Sequence, residues 1–223
     1  VILGVDERGH KELVALEGGY RESTESWLVV LRGLKERGLT NGPLVGIGDG
    51  ALGFWKALRE VYPETRTQRC WQHKTMNVLN QFPKVVQPRA LEMLHQIWMA
   101  PSRQEALKAW NRFEAEFKDK YPKAVETLAK DKDTMLTFYD FPAEHWISLR
   151  TTNPIESVFG TVRHRSSRTK GCVSRKTMLA LAYKLIESAS KNWRRLTGFE
   201  RLAEVIRGVR FTDGKSELEL EKG

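Results

Sequence analysis

Two periods of apolar residues divide the chain. Val1 to Val5 is an apolar run ending at Asp6, Glu7-Arg8-Gly9 reads as a turn, and Glu12 to Leu16 reads as the returning strand of a hairpin. A 3.6-residue period then takes over. Trp27, Leu28, Leu31 and Leu34 share one face of a helix that Ser23 or Thr24 caps and Gly38 stops. Pro43 to Gly48 is a short buried strand ending at Asp49-Gly50, Leu52 to Tyr62 is a second helix followed by Pro63, and Thr65 to Cys70 is a further strand. The order strand, strand, helix, strand, helix, strand predicts an α/β sheet with helices packed on it.

From about Gln72 to Tyr139 the pattern is almost entirely helical. Pro88 suits a first helical turn, and Leu91, Leu94, Ile97 and Trp98 form one apolar stripe. Ser102-Arg103-Gln104-Glu105 has the form of a capping box, with Leu107, Trp110, Phe113 and Phe117 as the face of the helix it starts. Another helix spans about Lys123 to Phe138. This block is expected to bury a small core of its own, its aromatic residues serving packing. Further on, Asn153 is expected to cap a helix with Pro154 at its first position and Ile155, Val158, Phe159 and Val162 turned inward. A long helix begins near Ser174, and the charged stretch from Thr212 is expected to fray.

Composition narrows the function classes. A hydrophobic share of 40% in 223 residues supplies a core for one large domain, or for a domain with an insertion. No apolar run approaches the roughly 20 residues a membrane-spanning helix needs. Only Cys70 and Cys172 are present, which argues against a disulfide scaffold and suits a reducing cytoplasm. The net charge of +9 favours a polyanionic partner.

Four groups of residues are suited to chemistry. Asp49 ends a buried strand, where α/β sheets present ligand-binding groups, although an Asp-Gly pair also serves a plain turn. Glu156 sits in the first turn of a helix, where it can cap the helix or meet Asp49 over one site. Two such carboxylates offer the hard oxygen ligands that Mg²⁺ prefers. Cys70 and His73 form a Cys-x-x-His half-site for zinc whose other half is missing, so packing is an equal reading for Cys70. Arg163, His164, Arg165, Arg168, Lys170, Arg175 and Lys176 follow one another with no acid between them, as a phosphate-binding segment or a solvated surface requires. Thr161, Ser166, Ser167 and Thr169 add hydroxyl donors suited to phosphate oxygens.

Gly48-Asp49-Gly50, Arg69-Cys70-x-x-His73 and Thr151-Thr152-Asn153-Pro154-Ile155-Glu156-Ser157, with Phe138-Tyr139-x-Phe141-Pro142-x-Glu144-His145-Trp146 between the last two, resemble the Mutator-like transposases of bacterial insertion sequences. The resemblance runs to about Gly214. It implies a ribonuclease-H-like mixed sheet interrupted by an all-α insertion before the last catalytic helix. The expected division is then residues 1–80 for the first part of the core, 81–145 for the insertion, 146–211 for the completing and basic helices, and 212–223 for a charged tail. It further implies a DDE triad binding Mg²⁺, which Mn²⁺ can replace, with Asp49 as second acid and Glu156 as third, and with Cys70 and His73 near the active site. The implied activity is cleavage and strand transfer of transposon DNA in the bacterial cytoplasm, at the nucleoid, by a homodimer or larger assembly on DNA. Arg163, Arg165, Arg168, Lys170, Arg175 and Lys176 would contact DNA phosphates. The family's first aspartate lies in an Asp-Gly-x-Tyr segment that does not occur here. A first acid upstream of Val1 is therefore expected, with Asp6 as the alternative. A non-catalytic DNA-binding remnant and a ribonuclease-H-like nuclease remain as rival readings.

Overall fold

The computed structural model describes residues 1–18, 23–166 and 174–221. In chain order the elements begin with β1 (Ile2–Val5), β2 (Lys11–Ala15), α1 (Thr24–Glu36), β3 (Val45–Gly48), α2 (Leu52–Val61), β4 (Arg66–Arg69) and α3 (Trp71–Leu79). Then come α4 (Gln87–Trp98), α5 (Arg103–Phe117), α6 (Pro122–Ala129), α7 (Lys132–Met135) and α8 (Trp146–Leu149). The chain continues with α9 (Asn153–Ser166), α10 (Arg175–Ser190), α11 (Leu202–Ile206), β5 (Phe211–Thr212), β6 (Lys215–Ser216) and α12 (Glu217–Leu220). They form two compact units. One takes Val1–Leu44, Ala51–Thr65 and Thr152–Ile206; the other takes Val45–Gly50, Arg66–Thr151 and Arg207–Gly223.

In the first unit β1 and β2 form the expected antiparallel hairpin. Gly9 in its turn has φ +80°, a backbone state that costs glycine little. Its carbonyl accepts the Leu196 N–H at 2.8 Å, and a Cβ there would stand 2.4 Å from the Phe199 Cβ. Only glycine lets the Leu196–Phe199 segment lie on this turn. Ser23 caps α1, its Oγ accepting the Ser26 N–H at 3.2 Å. The apolar stripe of α1 closes on α2, so Leu31, Leu34, Trp55, Ala57, Leu58, Val61 and Tyr62 form one core with Ala15. Trp27 meets Phe54 edge-on at 4.9 Å, and the Tyr62 hydroxyl donates to the Leu39 carbonyl at 2.8 Å. Helix α9 packs on β1 and α10, and α10 packs on β2.

The second unit is built from helices α3 to α8 around Trp71, Leu94, Ile97, Trp110, Phe113, Leu128, Met135, Phe138 and Tyr139, all essentially inaccessible to solvent. This is the aromatic packing expected of the middle block. Ser102 Oγ accepts the Glu105 N–H, but the Glu105 carboxylate takes Lys108 Nζ at 2.7 Å, so the box is used on one side. Within the stretch from Thr212, expected to fray, the described residues complete β5 and form β6 and α12. Strands β5 and β6 pair, and Ser216 and Glu219 form a full capping box for α12. Gly214 donates to the Tyr139 carbonyl and accepts from the Ala143 N–H, both at 3.2 Å, while Asp213 Oδ1 accepts the Arg103 N–H at 2.7 Å.

The expected ribonuclease-H-like mixed sheet is not present. The chain is predominantly helical, and the described strands pair only in twos: β1 with β2, β3 with β4 in parallel, and β5 with β6. The side-chain partners of β4 give the physical reason. Beyond its ladder with β3, its polar groups are met by the turn after α7 and not by another strand. Thr137 Oγ1 donates to the Thr67 carbonyl at 2.7 Å. Buried Gln68 donates to the Met135 carbonyl at 3.0 Å and accepts the Phe138 N–H at 2.8 Å. With these groups satisfied, β4 offers little to a third strand. Among the described residues no helix is long and apolar enough to cross a membrane.

Candidate functional site

Asp49 directly follows β3 in the second unit and is exposed, as is Gly50. The parallel ladder from Val45–Arg66 to Gly48–Arg69 fixes this strand end, and the Gly48 carbonyl accepts the Cys70 N–H at 2.8 Å. The Asp-Gly and Cys-x-x-His motifs are thus tied together by backbone. A Cβ on Gly50 would stand 3.3 Å from Arg69 Nη2, so the Arg69 guanidinium lies over the Asp49–Gly50 turn.

That guanidinium belongs to an ion network. Asp131 Oδ2 stands 3.4 Å from Arg69 Nη2 and also takes Lys74 Nζ, whose side chain is only 6% exposed. Lys74 donates further to the Thr127 carbonyl at 2.8 Å. Sequence reasoning missed this network because Asp131 lies far along the chain from Arg69 and Lys74, and no local pattern announces the pairing.

Cys70 precedes α3 and is buried; half-buried His73 in the first turn places Nδ1 3.3 Å from Cys70 Sγ. The next N–H, of Trp71, donates to the Arg150 carbonyl at 2.8 Å. Arg150 is itself packed on aromatic rings, 4.7 Å from Phe138 and 5.3 Å from Trp146, and burial holds its pKa below the usual arginine value. Among the described residues no three His, Cys, Asp or Glu side chains are grouped as a metal cage.

Glu156 lies in the first unit, exposed in the first turn of α9. The helix starts one residue earlier than expected. The Thr152 carbonyl accepts the Ile155 and Glu156 N–H groups, so Asn153 is already the first helical residue and Pro154 the second. Thr152 Oγ1 donates to Glu156 Oε1 at 3.3 Å, a contact that orients the carboxylate. Val158 faces inward as expected, but Phe159 does not; it is 45% exposed.

Asp6 serves the hairpin. Its Oδ1 accepts the Arg8 and His10 N–H groups at 2.9 and 2.7 Å, and its Oδ2 stands 3.1 Å from His10 Nδ1. Desolvation pushes its pKa up, but these hydrogen bonds outweigh it and hold the carboxyl below its ordinary value. Of the basic segment, Arg163 and Lys176 are exposed, Arg165 falls in the last turn of α9, and Arg175 opens α10. The expected contacts at Arg168 and Lys170, and Cys172, lie outside the described residues.

The comparisons with known proteins agree with the motifs. Residues 1–196 match the family model described as Transposase, Mutator family. The chain is 54% identical over 214 residues to the transposase for insertion sequence element IST2 of Acidithiobacillus ferrooxidans, covering 96% of this chain and 72% of that protein. It is 53% identical over 215 residues to the transposase for insertion sequence element IS6120 of Mycolicibacterium smegmatis, covering 96% of this chain and 66% of that protein. A more distant relative, the transposase for insertion sequence element IS905 of Lactococcus lactis, is 31% identical over 168 residues, covering 75% of this chain and 42% of that protein. With a family model spanning most of its length and relatives above half identity, the chain belongs to the Mutator family of transposases.

Proposed function

We propose that this chain supplies two of the three acids of a DDE transposase that cuts DNA at transposon ends and joins the freed ends to target DNA. The observation that carries the reading is the local fold of the family signature: Asn153–Ser157 form the start of α9, with the Glu156 carboxylate exposed and braced by Thr152. Asp49, exposed at the fixed end of β3, is the second acid. Each of these two acids is a hard carboxylate donor open to solvent, the ligand type that Mg²⁺ and Mn²⁺ take, and Mg²⁺ binds through one or two carboxylates while keeping several waters. When bound, such ions stabilise both the attacking and leaving oxygens of a phosphodiester.

The chain's own residues then position and hold. Thr152 orients Glu156, and the β3–β4 ladder with the Gly48–Cys70 bond fixes the backbone under Asp49. Arg163, Arg165, Arg168, Lys170, Arg175 and Lys176 carry DNA phosphates, and Cys70 and His73 anchor the start of α3 beside the Asp49 turn. The first acid of the triad is neither Asp49 nor Glu156, and both oxygens of Asp6 are engaged in the hairpin turn. Two copies work together on DNA, one for each transposon end.

Calorimetric titration with Mn²⁺ tests the metal site. Asp49→Asn is expected to weaken binding roughly tenfold or more, and Asp6→Asn to leave it unchanged. Equal losses in the two variants would make Asp6 the first acid. Metal binding indifferent to Asp49→Asn would remove Asp49 from the site.

A further inference from the structure

Helix α9 has one covered face and one open face. Val158 is 3% exposed, and Ile155 and Val162 are partly covered on the same side. Glu156, Phe159, Gly160 and Arg163 follow the i, i+3, i+4, i+7 spacing that places residues on a single face, and all four are exposed. Phe159 is 45% exposed although the helix has a packed side available to it. A Cβ on Gly160 would meet nothing within 4 Å, so a ligand can come close to the helix backbone there. This stripe therefore holds, in order, a carboxylate, an aromatic ring beside a bare glycine, and an arginine.

We propose that Phe159 is a stacking platform for an unpaired nucleotide of the DNA, with Arg163 holding the adjoining phosphate. The inference rests on the reading of this chain as a DNA-processing transposase and adds where on α9 the strand lies and in what form. The occupant follows from the chemistry. An isolated exposed ring offers a π-face, and a base offers one only when it has left the stack; in an intact duplex the ring would meet backbone and groove edges instead. Charge selects nucleic acid over an apolar protein surface. No acid occurs from Arg163 to Lys176, and the chain carries +9 overall. The arrangement puts a splayed nucleotide one helical turn from Glu156, so a locally opened strand would be held beside the acid.

The experiment compares this chain with Phe159→Leu and Phe159→Trp on two DNA probes: a fully paired duplex, and the same duplex with a few unpaired nucleotides at one end. Leucine keeps apolar bulk at an exposed position but lacks a ring. Phe159→Leu is expected to lose roughly 5- to 150-fold in affinity for the frayed duplex, with little change on the paired one. Phe159→Trp should retain the preference, and the emission of the added indole should fall when the frayed duplex binds. Equal binding of the frayed duplex by wild type and Phe159→Leu, or an equal loss on both probes, overturns the stacking role and leaves the DNA reading intact. Failure of the wild-type chain to bind either probe removes both.

Discussion

Glu156→Gln is expected to slow DNA cleavage by the intact transposase by about three orders of magnitude or more, equivalent to roughly 4 kcal/mol of lost transition-state stabilisation. Glutamine has the same shape, is neutral, and can still accept the Thr152 hydroxyl that now reaches Glu156 Oε1. The side chain is exposed in the first helical turn, so α9 should form as before. What changes is the anionic oxygen available to a divalent ion. Affinity for transposon-end DNA should stay within about twofold, because the basic segment proposed to meet phosphates is untouched. Cleavage of a labelled transposon-end duplex in Mg²⁺ and a parallel binding titration give both numbers. A variant that cuts at the wild-type rate would exclude Glu156 as the third acid, and one that loses binding and cleavage together would make it a structural residue of α9.

The second large effect concerns stability. Asp131→Ala should cost roughly 3–5 kcal/mol, the usual result of stranding a buried partner of an ion pair. Lys74 is the residue left behind: its side chain is 6% exposed, and without Asp131 its ammonium keeps the Thr127 carbonyl. Arg69 would lose the carboxylate at 3.4 Å as well. The Asp131 carbonyl that accepts the Thr134 and Met135 N–H groups survives the substitution, so the cost comes from the side chain. Urea unfolding measures it. Adding Lys74→Met should recover much of the loss, since an apolar side chain needs no partner in that position. A cost below about 1 kcal/mol for Asp131→Ala would mean that solvent reaches Lys74 and screens the pair.

The parts of the fold that were legible in the sequence are those set by local pattern. The stripe of Trp27, Leu28, Leu31 and Leu34 gave α1 and its packing side, Ser23 and Ser174 marked helix starts, and the Leu94–Ile97 and Phe113–Phe117 faces gave a buried helical block. The mixed sheet failed because strand pairing is non-local. Nothing near Thr67 or Gln68 in the sequence says that Thr137, Met135 and Phe138 will meet them. Phe159 was misplaced for a geometric reason. Ile155, Val158, Phe159 and Val162 all fit a broad helical stripe, but 159 lies at its margin, and the partners of α9 cover only the other side. The start of α9 slipped by one because Thr152 and Asn153 both suit a cap and Pro154 is tolerated anywhere in a first turn. The motifs singled out Asp49, Cys70, His73 and Glu156 as candidates, whereas the ion network of Arg69, Lys74 and Asp131 joins residues too far apart in the chain for any local pattern to announce it.

The β5–β6 hairpin has a consequence for how the chain can be made. Its residues supply Asp213 to the Arg103 N–H and Gly214 to both the Tyr139 carbonyl and the Ala143 N–H. The helical unit therefore draws its closing contacts from residues that leave the ribosome long after α5. During synthesis the turn around Tyr139 and Ala143 waits with those groups unmatched until this hairpin emerges. A nascent chain stalled before Arg207 would hold nearly all of this unit's helices and still lack the piece that locks them. Emergence of this hairpin, and not the folding of any one helix, is then the step that commits the unit to its final form.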